Sequence, residues 1–200
     1  MAGLLYKEWY QIRHSMKSFI GLMVVLGSVF CLSGDSLSFL WITGIICFST
    51  IITTFSLDEK SGWNMYERVL EIPVKKVVLS KYILMFCFII IGSIIGGGVN
   101  LIIQPKLWEE ILASIIVVNI ILILMGSIML PLLYKFGTEK TRILFISIIL
   151  IVLLGFSTLI QKLIEIDLTS IVVFGIPIIT LLSLIFSIQI SKKIYINKRV

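Results

Sequence analysis

Residues 79–103, with the sequence LSKYILMFCFIIIGSIIGGGVNLII, decide the fold of this chain. After Lys81 the stretch holds no charged residue and is almost entirely apolar. An α-helix needs about 20 consecutive apolar residues to cross the hydrocarbon core of a bilayer. The stretch therefore predicts a transmembrane helix.

Five further apolar runs of similar character lie around this one and are separated by short charged stretches. The six predicted spans are residues 18–33, 39–57, 79–103, 109–134, 142–161 and 169–190. Mean hydropathy is +1.12 and only 14% of residues are charged, against about 25% in soluble domains. The sequence thus predicts an all-α membrane protein in which residues 18–190 form a single domain of six transmembrane helices.

The positive charge is distributed unevenly among the connecting stretches. Of the 17 Lys and Arg residues, all but Lys106 and Lys162 fall in four stretches. These stretches are residues 1–17, 58–81, 135–142 and 192–200. Because cytoplasmic loops retain Lys and Arg, we expect both termini, including a basic tail over residues 191–200, on the cytoplasmic side of a plasma membrane. The net charge of +6 is then explained by the orientation of the protein in the membrane. The sequence contains no basic stripe of the kind that would predict nucleic-acid binding.

The segment before the first span has the pattern of an amphipathic helix. On a helix over residues 1–17, one apolar stripe is formed by Leu5, Trp9, Ile12 and Met16. We expect this segment to lie in the membrane interface, where aromatic rings suit the headgroup layer and Arg13 and Lys17 suit anionic lipid. The alternative is an ordinary basic extension of the first span.

The longest loop, residues 58–81, reads DEKSGWNMYERVLEIPVKKVVLSK. Gly62 can begin a short helix, and Pro73 should end it because the residue before proline is pushed out of the α region. In that helix Trp63, Tyr66 and Leu70 share one face. We expect this aromatic face to dock on a cytoplasmic partner, and the alternative is insertion into lipid headgroups.

The same loop resembles a known family. The segment D-E-x-S-G-W-N-x-Y-x-x-x-L-x-x-P, which follows the second span, is similar to that of the small permease subunits of type-2 ABC exporters. In such permeases the short helix between spans two and three is a coupling helix. On this resemblance the residues that would contact an ATPase are Asp58, Glu59, Gly62, Trp63, Tyr66, Glu67, Arg68, Leu70 and Pro73.

The resemblance carries further expectations about partners and cargo. It implies a separate cytoplasmic ABC ATPase, in two copies, which binds ATP and Mg, and a second copy of this permease or a paralogue. Within the family the chain looks most like the branch that contains the bacterial exporter of phenol-soluble modulins. That branch implies export of amphipathic peptides from a bacterial cell.

The chain offers no catalytic, metal or cofactor site of its own by sequence. It contains no G-x-x-x-x-G-K-[ST] motif, so we expect ATP to bind another chain. The only histidine is His14, and the three cysteines are far apart, so no metal site is predicted. Gly92 and Gly96 form a small-xxx-small step typical of close helix packing.

Three uncharged polar residues, Asn100, Gln104 and Asn119, lie in or beside the third and fourth spans. They could line an outer gate or pack between protomers. An ion-coupled transporter is disfavoured because the spans contain no ionisable residue well inside their ends. That reading and a non-transporting membrane anchor or assembly protein remain the alternatives to an ABC permease.

Overall fold

A computed structural model describes residues 2–33, 36–164 and 169–199 of the chain. Within these residues the protein is all-helical and has no strand. The helices are α1 (Ala2–Ser33), α2 (Ser36–Ser61), α3 (Trp63–Val69), α4 (Val74–Ile103), α5 (Trp108–Ile164) and α6 (Thr169–Arg199), with a 3₁₀ turn at Pro105–Leu107. The all-α prediction is therefore confirmed over the described part of the chain.

Four segments of the described residues are long and apolar enough to cross a membrane. They are Ser38–Ser61, Val74–Ile103, Pro105–Leu144 and Gly175–Lys198. The first predicted span corresponds to a shorter apolar stretch, Ser15–Phe30. The predicted span over residues 142–161 falls mostly on positions whose side chains lie outside the described residues. The chain is thus a membrane protein, and the count of six spans stays a prediction.

Two helices differ from the expected boundaries. Helix α1 is continuous from Ala2 to Ser33, so the interfacial helix predicted over residues 1–17 is not separated from the first span. No proline interrupts this segment, and intrahelical bonds can continue through it. Helix α5 runs through both the fourth and fifth predicted spans and is broken only at Gly137, whose φ of 80° and ψ of 179° are not helical.

Helices α2 and α4 approach each other closely through glycines. A Cβ atom on Gly92 would lie 3.1 Å from Cβ of Cys47, and one on Gly96 would lie 3.0 Å from Cα of Leu40. The Gly96 position would also meet the hydroxyl of Thr43. The structure therefore confirms the expected close packing at the small-xxx-small step, with α2 as the neighbouring helix.

Hydroxyl groups join α6 to the rest of the bundle. The Tyr82 hydroxyl on α4 is 2.5 Å from the Ser187 hydroxyl and 3.0 Å from that of Ser191, both on α6. Ser187 and Ser183 also contact Ser127 on α5, the former by donating to its carbonyl at 2.5 Å. Such bonds replace water as the partner of each hydroxyl where the helices meet in a membrane.

The four stretches rich in Lys and Arg meet at one end of the bundle. Contacts between stretches are made by Lys7 with Asp58, Glu59 with Thr138 and Glu67 with Tyr195. The beginning of α1, the end of α2, the beginning of α4, the break in α5 and the end of α6 therefore lie together. We call this region, with α3, the polar end.

Candidate functional site

A buried cluster of four charges holds three helices together at the polar end. Asp58, at the end of α2, pairs with both Lys7 of α1 and Lys81 of α4. Lys81 also lies 2.7 Å from the Glu8 carboxylate. Glu8, Asp58 and Lys81 are each at most 5% exposed, so each charge depends on its partners for solvation. Loss of a single member leaves an uncompensated buried charge.

Glu59 links the end of α2 to the break in α5. Its carboxylate accepts a hydrogen bond from the backbone N–H of Thr138 at 3.1 Å and another from the Thr138 hydroxyl. Thr138 begins the helical segment after Gly137, where backbone N–H groups lack intrahelical acceptors. A carboxylate at this position acts as a cap and is favoured by the positive end of the helix dipole.

Glu67 fastens α3 to the bundle. One carboxylate oxygen accepts a hydrogen bond from the Trp63 indole, and the other accepts one from the Tyr195 hydroxyl on α6. Glu67 is only 3% exposed. Burial raises the pKa of its carboxyl above the ordinary value; the bonds from Tyr195 and Trp63 oppose that change, Asp58 adds to it and Lys7 opposes it.

The Trp63 ring is half-buried and contacts the bundle. The Lys7 ammonium lies 4.5 Å from the centre of its ring, within the range of a cation–π contact. Lys7 therefore joins α3 to the buried charge cluster, since it also pairs with Asp58.

Three apolar side chains of α3, and that of Leu70 directly after it, are exposed. Met65, Tyr66, Val69 and Leu70 are 76%, 62%, 81% and 61% exposed, respectively. The helix is bracketed by two residues with positive φ, Gly62 at 67° and Glu71 at 49°. These turns direct the chain into and out of α3, so that it lies across the polar end with Trp63 and Glu67 attached to the bundle and the apolar side chains exposed.

The predicted coupling residues therefore divide into two groups. Tyr66 and Leu70 are exposed as expected, and Pro73 is exposed immediately before α4. Asp58 and Glu67 are buried instead, and they contact Lys7, Lys81 and Tyr195 within the chain. The Arg68 side chain lies outside the described residues. Whether any of these residues contacts an ATPase stays a prediction.

The predicted stripe on the N-terminal segment is also divided. Ile12 is fully buried against the bundle, Leu5 and Met16 are half-buried, and Trp9 is 49% exposed. The four residues therefore do not form one lipid-facing surface. Glu8 pairs with Lys81 and so faces the bundle. Ile12 follows Glu8 by one helical turn on the same side of α1 and is therefore buried in the core.

The three candidate gate residues make contacts within the chain. The Asn100 amide donates to the Gly96 carbonyl at 2.7 Å, and Asn100 is fully buried. Asn119 accepts a hydrogen bond of 2.6 Å from Ser93 and so joins α5 to α4. Gln104 ends α4. A role for these residues in a gate stays a prediction.

A cavity of about 230 Å³ lies inside the polar end. Its walls come from α2 to α6 and include Asp58, Glu67, Tyr134 and Tyr195. The buried Tyr134 hydroxyl has no hydrogen-bond partner among the described residues. In the same part of the chain no group of three His, Cys, Asp or Glu residues has an arrangement that could hold a metal ion.

Sequence reasoning missed the partners that bury these acidic residues. Lys81 and Tyr195 lie 23 and 128 residues from the acids they bind, so no helical spacing relates them. One signal was available: Lys7 and Glu8 are adjacent opposite charges on a segment otherwise interpreted by its apolar stripe.

The fold and the polar end define a helical membrane protein with a short helix fastened across the end where its basic stretches meet. The chain belongs to the family described as "ABC-2 family transporter protein", which it matches over residues 3–196. This match covers nearly the whole chain. Comparison with curated proteins and with solved structures returned no match.

Proposed function

We propose that this chain is the permease subunit of an ATP-driven exporter and that α3 docks into a groove of a separate ATPase subunit. The observation that carries the proposal is the exposed apolar side of α3. Four large apolar side chains project from the polar end, where they are away from the candidate membrane spans. An apolar patch of this kind is typical of a protein interface.

In this proposal the polar end is cytoplasmic. The supporting observation is that the stretches carrying most of the Lys and Arg meet there, whereas Lys106 lies at the opposite end of α4. The ATPase would bind ATP and Mg on its own residues, and two copies would serve two permease chains in a bacterial plasma membrane. This chain supplies the docking helix and the path for the cargo.

The contacts of α3 explain how movement of the ATPase could reach the transmembrane helices. Trp63 contacts Lys7 of α1, and Glu67 bonds to Tyr195 of α6. Through Lys7 the attachment continues to Asp58 and then to Lys81 of α4. A force applied to α3 would therefore act on α1, α2, α4 and α6 together rather than bend a loose loop.

The cargo in this proposal is an amphipathic peptide taken from the inner leaflet. The residues between the ends of the predicted spans are uncharged, and the chain resembles the branch that exports phenol-soluble modulins. A peptide lying in the interface already has its apolar face in lipid, so lateral entry between helices avoids exposing that face to water.

Replacement of Tyr66 and Val69 by alanine tests the docking role. Truncation of a buried aromatic anchor costs about 2 kcal/mol of binding, so ATPase affinity and transport-linked ATP hydrolysis should fall about 30-fold. Ile102→Ala removes an equally exposed apolar side chain at the opposite end of α4 and serves as the matched control. Unchanged ATPase affinity in the α3 variant would remove α3 from the coupling role.

Stimulation of ATP hydrolysis tests the cargo separately. The reconstituted permease and ATPase should respond to amphipathic helical peptides and not to small hydrophilic drugs. A response to lipid or small drugs alone would overturn the peptide assignment and leave the docking role intact.

A further inference from the structure

The outward face of α1 carries an exposed stripe of three aromatic and two basic residues. The stripe consists of Tyr6, Trp9, Tyr10, Arg13 and Lys17, which recur at helical spacing along one side. Tyr6, Trp9 and Tyr10 are 71%, 49% and 67% exposed, and both basic side chains are exposed as well. We call this the outer stripe.

The opposite face of α1 is fixed to the bundle. Lys7 pairs with Asp58, Glu8 pairs with Lys81, and Ile12 is fully buried. These contacts prevent rotation of the helix about its axis. The outer stripe is therefore held facing away from the protein.

The depth of the outer stripe follows from the length of the apolar segment after it. Ser15–Phe30 is 16 residues long, which is about 24 Å of helix, whereas the hydrocarbon core is about 30 Å thick. Residues directly before the segment therefore lie at the edge of the hydrocarbon core, and residues between one and two helical turns earlier lie in the interfacial layer. Trp9 and Tyr10 then lie where aromatic residues are enriched, at the level of the headgroups.

The charged groups of Arg13 and Lys17 reach the headgroup layer although their Cα atoms lie deeper in the membrane than those of Trp9 and Tyr10. Cα–Cβ bonds in a helix tilt toward its N-terminus, and long basic side chains extend toward the polar surface of a membrane. Arg13 and Lys17 are four residues apart and lie on one side, so both heads approach the layer of Trp9 and Tyr10. Two cations beside aromatic hydrogen-bond donors form a surface complementary to a phosphate.

We propose that the outer stripe binds the phosphate headgroup of an anionic phospholipid. Arg13 and Lys17 contact the phosphate, and the Trp9 indole and Tyr10 hydroxyl donate hydrogen bonds in the same layer. The excess of positive charge favours an anionic lipid over a zwitterionic one. The site depends only on insertion of the chain into a membrane and is independent of the cargo and of α3 docking.

Lipid binding to the full chain in nanodiscs tests this proposal, with labelled phosphatidylglycerol and phosphatidylcholine as the two probes. Each basic residue near an anionic headgroup changes affinity about fivefold, so Arg13→Gln combined with Lys17→Gln should weaken phosphatidylglycerol binding about 25-fold. Phosphatidylcholine carries the same phosphate but no net charge, so its binding should fall much less. Arg142→Gln removes an exposed cation at the polar end outside the stripe and should have no such effect.

Three results would overturn the proposal. They are equal losses for the two lipids, an equal loss in Arg142→Gln, and displacement of phosphatidylglycerol by excess inorganic phosphate, which would make the stripe a site for free anions. If the double variant binds both lipids normally but loses its ATPase, the stripe is a protein contact and the lipid site is also refuted.

Discussion

The Tyr195 hydroxyl near the end of α6 donates a hydrogen bond to the carboxylate of Glu67 in α3, across 128 residues of sequence. The other carboxylate oxygen accepts from the Trp63 indole within α3 itself. One buried side chain therefore sets the orientation of α3 relative to α6. Helices α3 and α6 are joined at this point.

Tyr195→Phe should loosen α3 without unfolding the bundle. A hydrogen bond to a charged group contributes about 2 kcal/mol, so the free energy of opening α3, measured by hydrogen exchange of its amides, should fall by about that amount. Tyr82→Phe is the control, because its hydroxyl joins α4 to α6 and does not touch α3. Equal loss of α3 protection in both variants would contradict a specific link.

The attachment of α3 should depend on pH through Glu67. Burial raises the pKa of its carboxyl, so between the pKa values of the unfolded and folded states the folded chain binds more protons. The stability of the α3 attachment should therefore rise as pH falls through the folded-state pKa. The measurement is α3 amide protection against pH, after correction for intrinsic exchange. If α3 protection still depends on pH in the Glu67→Gln variant, the titrating group is not Glu67.

Gly137→Ala should destabilise the chain. Gly137 has a φ of 80° and a ψ of 179°, a backbone conformation that residues other than glycine rarely adopt. A Cβ atom at this position would also lie 2.8 Å from a Glu59 carboxylate oxygen. We expect a cost of about 1–3 kcal/mol in the free energy of unfolding. Gly98→Ala serves as the control, because its Cβ meets nothing within 4 Å. Equal stability of the two variants would show that the break in α5 tolerates a side chain.

The orientation of the bundle can be read by chemical labelling. In a background without Cys31, Cys47 and Cys87, a cysteine at Lys106 should react with an impermeant thiol reagent added outside the cell, because few basic residues lie at that end. Cysteines at Lys75 and Lys140 should react only after the membrane is opened. Labelling of Lys75 from outside would reverse the orientation.

Patterns local in sequence predicted much of the fold. Apolar runs predicted the helical class, Gly92 and Gly96 predicted a close helix contact, and Pro73 marked the boundary before α4. Each of these patterns involves residues within one helix or one turn, so the spacing of residues along the sequence is enough to predict it.

The arrangement of the polar end could not be predicted in this way. Helical spacing treats a charge in a loop as solvated, but Asp58 and Glu67 are buried by side chains from distant helices. The same interactions bury the side of α1 that carries Glu8 and Ile12, so Trp9 of the expected apolar stripe is left exposed. Charge pairing across the fold therefore outweighed the local apolar pattern in deciding these positions.

Site-specific photocrosslinking in cells tests the central claim, that the exposed side of α3 contacts an ATPase. A photoreactive residue at Tyr66 or Val69 should crosslink to a protein that contains a P-loop. The same residue at Ile102, which is equally exposed at the opposite end of α4, should not. Failure of Tyr66 and Val69 to crosslink to any P-loop protein, or an equal yield at Ile102, would contradict the account.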